Sequence, residues 1–398
     1  MQALASPTTL LIYLLAALTA MAPLAVDAYL PALPEMAMHF SVSIHDAELS
    51  LSIFLAGFAC GQLIGGPFSD HAGRRIASGC GISLFCLGSL GIMLSSSMES
   101  VWLFRGIQAL GGGLAVVNSS AVIRDLSHGR DSARHLSNIS VIMMLAPLLA
   151  PMIGALLLHL QGWRLIFEFL LVYGVLIGAA LYCKLPETRR PQPIRTSVLA
   201  RYAEVLSHRY ALGFVLSQCF AFAGMFAFIT SSPLVYMQFF DVSEAVYPLL
   251  FGANIIGMIS ANRLNIRLLH RFNPHQILTF GQLLQLSAGL SLLGYLLISA
   301  TPWLPLVVML IVIYIGAMGL MIANATSSTI EFFPHSSATA TAILGASGFA
   351  MGGVSGALVG LWGDGTPLPM ATVMLFCSIL GIAGRWLLQM PGLQKQPE

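Results

Sequence analysis

The sequence predicts an all-α membrane protein of twelve transmembrane helices, and three observations carry that expectation. The chain of 398 residues is 57% hydrophobic. Only 9% of its residues are charged, whereas soluble domains carry roughly 25%. The charges that do occur gather between long apolar runs. At roughly 20 apolar residues per crossing, a chain of this length holds about a dozen helices if its loops are short. The net charge of +2 gives no reason to expect a nucleic-acid partner, which requires a basic face.

Apolar windows place the spans near 9–30, 48–66, 76–96, 101–123, 136–159, 163–183, 211–239, 246–264, 276–299, 303–330, 338–361 and 368–389. They divide six and six around a polar stretch from Lys184 to Tyr210 that contains Pro186, Pro191 and Pro193. The expected organisation is therefore a first unit over 1–183, a linker over 184–210 and a second unit over 211–398. No Lys or Arg precedes the first apolar run, so the basic leader of a signal peptide is missing and that run is expected to be a retained helix. The six cysteines, Cys60, Cys80, Cys86, Cys183, Cys219 and Cys377, lie in or beside apolar stretches without close pairing and read as small hydrophobes rather than as disulfide partners or metal ligands.

Orientation follows from the cations, because cytoplasmic loops retain Lys and Arg. With a cytoplasmic N-terminus, Arg74, Arg75, Arg124, Arg130, Arg134, Lys184, Arg189, Arg190, Arg195, Arg201, Arg209, Arg263, Arg267, Arg271, Arg385 and Lys395 all fall on the cytoplasmic side. Only Arg105 and Arg164 of the 18 cations do not. The same arrangement supports an even number of helices with both termini inside.

The two halves share faint internal similarity, as in transporters built from repeats. Gly113-Leu114 precedes Asn118 with the spacing by which Gly319-Leu320 precedes Asn324, and Gly154-Ala155-Leu156 recurs as Gly356-Ala357-Leu358.

Between the second and third spans lies Gly66-Pro67-Phe68-Ser69-Asp70-His71-Ala72-Gly73-Arg74-Arg75. Its glycines permit a tight turn, Asp70 can approach the positive end of a neighbouring helix, and the arginines can pair with acids below other helices. The segment resembles the loop signature of the major facilitator superfamily, G-x-x-x-D-x-x-G-R-[KR]. Four further stretches resemble the bicyclomycin-resistance (Bcr/CflA) subfamily of drug:proton antiporters: Asp27-Ala28-Tyr29-Leu30-Pro31-Ala32-Leu33-Pro34, Arg105-Gly106-Ile107-Gln108, Ala146-Pro147-Leu148-Leu149-Ala150-Pro151-Met152-Ile153-Gly154, and Phe222-Ala223-Gly224-Met225-Phe226. The resemblance covers essentially the whole chain. It implies two six-helix bundles around a central cavity, with alternating access and proton-driven export across a bacterial inner membrane by a monomer that needs no cofactor. The antiporter-motif helix, with Pro147, Pro151 and Gly154, departs from the usual pattern because Ala146, Ala150 and Ala155 replace glycines; the small residues still permit close helix packing.

Asp27 is the clearest acid inside an apolar span, where a charge costs at least a few kcal/mol. Because an apolar medium favours the neutral carboxyl, such an acid can load and release a proton or pair with a cationic substrate; the other reading is an acid at the outer helix end in ordinary water. In the family an arginine at the position of Arg105 lines the cavity and tunes coupling, so Asp27 and Arg105 are the candidate proton-coupling pair, with Gln108 one turn beyond on the same face. Tyr29, Asn118 and Asn324 complete the polar candidates for the cavity, although Asn118, Gln218, Asn254, Gln282, Gln285 and Asn324 can equally bridge helices. Phe222 and Phe226, four residues apart, are expected to form an apolar wall with Met225 nearby. Phe220, Phe222, Phe226 and Phe228 cannot share one helix face, which implies that some of them meet lipid. Gly66, Asp70, Gly73, Arg74 and Arg75 form the candidate gate, in which Asp125 can accept Arg74. Arg164, beside Trp163, fits an interfacial cation. None of the ten histidines lies deep in a span, which argues against a histidine relay.

A Walker A loop requires Gly-Lys-Ser/Thr, but the only lysines, Lys184 and Lys395, follow Cys183 and Gln394. No cluster of His, Asp or Glu at catalytic spacing occupies the spans, so a membrane enzyme is not expected. A secondary transporter remains. Lipophilic molecules or antibiotics are the expected substrates, with a dedicated metabolite exporter as the alternative and a channel as a distant third.

Overall fold

The structure, a computed structural model, describes residues 8–127, 129–188, 197–333 and 336–390. Arg189, Arg190, Arg195 and Lys395 lie outside the described residues, as do the middle of the expected linker and the side chains of Arg124, Arg130 and Arg134.

The described chain is helical. In order it forms α1 (Thr9–Asp27), α2 (Leu33–Phe40), α3 (Ile44–Ala72), α4 (Arg74–Met93), α5 (Met98–Leu126), α6 (Gly129–Gln161), α7 (Trp163–Lys184), α8 (Val198–Ser207), α9 (Arg209–Pro233), α10 (Tyr247–Leu268), α11 (Pro274–Ile298), α12 (Leu304–Gly316), α13 (Met318–Glu331), α14 (Ser337–Trp362) and α15 (Leu368–Gln389). Among the described residues, 10 helices are long and apolar enough to cross a bilayer. The stretch Leu145–Gln161 within α6 and α10, with Arg263 and Arg267 near its end, complete twelve crossings. Three of the expected spans are interrupted, the seventh where α9 passes after Pro233 into a π-helical segment over Leu234–Phe239. The first ends as an α-helix at Asp27 and continues through a 3-10 turn, Leu30–Ala32, because Pro31 and Pro34 each withhold a backbone donor. The tenth is α12 followed directly by α13, broken around Ala317.

Local signals fix the turns. Ser43 and Asp46 cap the start of α3 reciprocally, as Ser97 and Ser100 do for α5. Gly73 stands at φ 100° between α3 and α4, a conformation that strains other residues.

Packing within each half follows close-approach pairs, as it must where lipid is as apolar as the helices. A Cβ at Gly113 of α5 would strike the Phe58 carbonyl and the Gln62 amide of α3, and one at Gly319 of α13 would strike the Met258 carbonyl and the Asn262 amide of α10. The shared Gly-Leu motif therefore marks the same helix-on-helix contact twice. Gly154 of α6 leaves no room for a Cβ beside the Ala28 carbonyl, while a Cβ at Gly356 of α14 would meet the hydroxyls of both Thr230 of α9 and Ser52 of α3, in the other half. The halves meet where α3 packs along α14 and α6 packs on α10.

Phe226 and Phe228 are buried, while Phe220 and Phe222 are half-buried and keep part of their surface open. The reason is tertiary: α9 is wrapped by α13, α14 and α15, and Phe228 packs on Tyr236 and Phe251.

Candidate functional site

At the end of α1 the structure places Asp27 in the protein interior, 3% exposed, with Oδ1 lacking a hydrogen-bond partner. The reading of a water-exposed acid at the outer helix end is thereby set aside. Asp27 owes its position to the proline-broken helix end and to Gly154, which lets α6 press against the adjoining Ala28 carbonyl. Of the small residues in the antiporter-motif helix, this is the one for which no Cβ fits beside α1. Pro147 and Pro151 lie within the same helix.

Arg105 is fully buried. Its Nη1 donates to the Ala25 carbonyl at 3.1 Å and to Gln108 Oε1 at 2.8 Å, and Gln108 Nε2 donates to Ser89 Oγ at 2.8 Å. The guanidinium carbon stands 4.1 Å from the centre of the Tyr29 ring and 4.4 Å from that of Phe54. A desolvated cation over an aromatic face gains about 2 kcal/mol or more, which helps hold a charge where lipid alone would expel it. Tyr29 in turn shares a 3.3 Å hydrogen bond with Ser50. Among the described residues no ion pair joins Asp27 to Arg105. The two candidates approach through α1, Arg105 holding the carbonyl of Ala25 two residues before Asp27. Tyr247 of α10, in the other half, is fully buried and shares a 2.8 Å hydrogen bond with Ser232 of α9.

The sequence singled out Phe222 and Phe226, and the structure extends them into an aromatic file. Their ring centres are 6.3 Å apart, and both contact Phe349 of α14, at 6.4 and 5.4 Å. Phe349 lies 4.7 Å from Phe58 of α3, which stacks on Phe54 at 5.9 Å. Phe54 is one of the rings beneath Arg105, so the file runs from α9 through α14 and α3 to the buried cation. Met225 packs beside it. Nothing in the sequence distinguishes Phe54, Phe58 or Phe349 from ordinary core residues.

Asn118 and Asn324 take part in helix bridges. Asn118 accepts a short hydrogen bond from Ser69 of α3, and Asn324 donates to Asn265 of α10 at 2.7 Å.

At the end of the bundle bearing the α3–α4 loop, Arg74 is the hub. It donates to Asp70 at 2.7 Å, to Asp125 of α5 at 3.0 Å and to Ser69 at 2.9 Å. Thr188 donates to the same Asp125 oxygen at 3.0 Å. The positive end of α4 is occupied by Glu187, which accepts from the backbone amides of Arg74 and Arg75 at 3.0 and 3.2 Å. The close fit of that carboxylate beside Gly73 explains why the turn tolerates no side chain. Arg75 caps the Tyr182 carbonyl at 2.7 Å and stacks on its ring. Gly66, Asp70 and Arg74 line a cavity of about 110 Å³ with Arg201 and Tyr202 of α8 and with Thr339 of α14. Arg164 donates to the carbonyls of Met93 and Ser95 at the opposite end.

The comparisons agree with this architecture. The Major Facilitator Superfamily pattern matches residues 15–357, and the chain belongs to that family of transporters; it is a multi-span secondary transporter and not an enzyme. The bicyclomycin resistance protein homolog of Haemophilus influenzae is 30% identical over 98% of both chains. The uncharacterized MFS-type transporter YdgK of Bacillus subtilis is 32% identical over 93% of both. Among solved structures, a bacterial homolog of the human lysosomal transporter Spinster, inward-facing and occupied, superposes with a TM-score of 0.76 at 16% identity over 96% of each chain.

Proposed function

We propose that this protein exports small lipophilic molecules, antibiotics among them, from the cytoplasm of a bacterium in exchange for protons, by alternating access of a site between its halves. Asp27 is the proton carrier, and Arg105 biases it through α1. The observation that carries the reading is the juxtaposition of a buried, incompletely bonded carboxyl and a buried guanidinium with an aromatic file crossing both halves. A proton carrier must be able to lose its charge away from water, and an unpaired buried carboxyl can do so. Phenylalanine rings with a neighbouring methionine suit varied apolar shapes. The drug-resistance name of the Haemophilus influenzae relative supports the same class of substrate.

In this reading the arginine-rich end faces the cytoplasm of a bacterial inner membrane, both termini lie inside, and the Arg74 hub braces the cytoplasmic gate. Residues 1–183 and 211–398 move as two bundles joined by 184–210. The monomer suffices and no cofactor is required, since the proton gradient supplies the free energy. The test is proton-gradient-dependent efflux of a compound panel from cells stripped of their own pumps. Export of several unrelated lipophilic compounds is the expected result. Export of a single polar metabolite would replace the multidrug reading with a dedicated exporter, and flux that ignores the gradient would remove proton coupling.

A further inference from the structure

A second buried carboxyl lies closer to the opposite end of the bundle, where the sequence offered no candidate. Glu48, in the second turn of α3, is 1% exposed, and its Oε1 has no hydrogen-bond partner. Its Oε2 stands 3.2 Å from Nδ1 of His45, whose side chain is 25% exposed. The pair sits on the surface where the halves meet. His45, Asp46 and Leu49 line a cavity of about 200 Å³ with Gly356, Ala357, Gly360 and Leu361 of α14, and the His45 ring fills the space a Cβ would need at Gly363. Inward, Ser50, two residues along α3 from Glu48, shares the 3.3 Å hydrogen bond with Tyr29, the ring beneath Arg105. The pair therefore stands between the bundle end and the Asp27–Arg105 centre.

We propose that His45 and Glu48 form the port through which protons pass between external water and that centre. The inference rests on the proton-coupled reading and on the orientation given above. His45 binds a proton from external water and becomes imidazolium. Its Nδ1–H bond then breaks as an O–H bond forms on Glu48 Oε2, leaving a neutral imidazole and a neutral carboxyl. The charged groups facing His45 favour the first step. Glu48 and Asp46 lie on α3, and Asp364 follows α14. Hydrogen bonds from the Thr366 hydroxyl and backbone hold Asp364 below the usual carboxylate range, so it remains an anion at neutral pH. Glu48 then carries the proton as a neutral acid, the form that low-dielectric surroundings favour. Because the port is built from α3 and α14 together, separation of the halves at this end exposes it and closure seals it.

Two measurements on the full-length protein decide the matter. The first is infrared difference titration in nanodiscs, which needs no substrate. The protonated-carboxyl C=O band should lose one component in Glu48→Gln and a different one in Asp27→Asn. The second is gradient-driven efflux of ethidium from reconstituted vesicles. Glu48→Gln should slow it about a hundredfold, and Glu48→Asp should recover most of the rate, which separates proton transfer from mere packing. His45→Asn should slow efflux several-fold at neutral external pH, with the deficit shrinking as the outside is acidified. An unchanged carbonyl band in Glu48→Gln overturns the port whether or not ethidium is transported, and so does wild-type efflux of ethidium by that variant. Failure of Asp27→Asn to uncouple transport would instead sink the Asp27 reading and leave the Glu48 band standing.

Discussion

The two halves use one packing scheme and two chemistries. In the first, Gly113 docks α5 on α3 and Asn118 ties the pair through Ser69; in the second, Gly319 docks α13 on α10 and Asn324 ties that pair through Asn265. Gly154 brings α6 onto the α1 backbone, and Gly356 of α14 faces Thr230 of α9 and Ser52 of α3 together. Around the centre the likeness ends. Two residues beyond Asp27 stands Tyr29 under Arg105, whereas the stretch of α9 that matches Asp27-Ala28-Tyr29 through the Gly154 and Gly356 contacts is Ile229-Thr230-Ser231. Where α5 carries Arg105 and Gln108, α12 carries the buried apolar Ile311 and then Tyr314, whose hydroxyl is held by the Met374 carbonyl at 2.6 Å. Backbone contacts between helices demand small residues wherever a half is built this way, so the scaffold repeats. A membrane charge costs at least a few kcal/mol and is retained only where it acts, so the charges do not repeat.

If the charge belongs to one half, the largest effect should come from removing it there. Asp27→Asn keeps the shape and removes the titration. Uphill efflux in everted vesicles should fall to that of vesicles without the protein, while membrane insertion is unchanged. A wild-type rate would mean that the halves do not differ in the way described.

The shared scaffold gives the next prediction. Gly154→Val and Gly356→Val should each destabilise the purified protein by about 1–3 kcal/mol through overpacking, visible as a lowered thermal midpoint in detergent. Comparable losses would affirm the repeat. An effect confined to Gly154→Val would mean that the second half tolerates separation of α9 and α14.

Truncating the file that joins the halves should discriminate among substrates. Phe226→Ala or Phe222→Ala removes a ring that is worth 3–5 kcal/mol when fully buried and much less in a wet cavity. Export of bulky lipophilic compounds should therefore drop several-fold more than that of small polar ones. A uniform change at matched expression would take both rings out of the pocket and favour a dedicated exporter.

Smaller effects belong to the end bearing the α3–α4 loop. Asp70 is 41% exposed, so its 2.7 Å pair with Arg74 is partly screened and contributes about 0.2–1 kcal/mol. Asp70→Asn should shift the balance of inward- and outward-facing states by about two- to fivefold, read by the labelling of engineered cysteines on either side of the cavity. Unchanged labelling with intact transport would reduce the motif to a turn. Smallest of all, Asn118→Ala and Asn324→Ala should each cost about 0.6 kcal/mol, typical of a polar bridge between membrane helices. Markedly unequal losses would break the symmetry of the bridges.

The sequence alone determined the membrane class, the helical crossings, the short glycine motifs shared by the halves and the charged loop between the second and third spans. These follow from composition, from bilayer thickness and from the small residues that close packing requires, all of which can be read one position at a time. Asp27 and Arg105 were legible for the same reason, since an ionisable group in an apolar run stands out. Glu48 was not, because it opens its span beside His45 and Asp46 and reads as part of a polar helix start. Phe54, Phe58 and Phe349 were invisible because apolar residues in apolar spans look alike until their neighbours are known. Only the tertiary structure decided that Arg105 is held by the Ala25 carbonyl and aromatic faces instead of by Asp27, and that Glu187 rather than Asp70 caps α4. It also decided that Phe226 and Phe228 of α9 are buried. Each of these depends on which helix lies alongside, a long-range choice that no local spacing records.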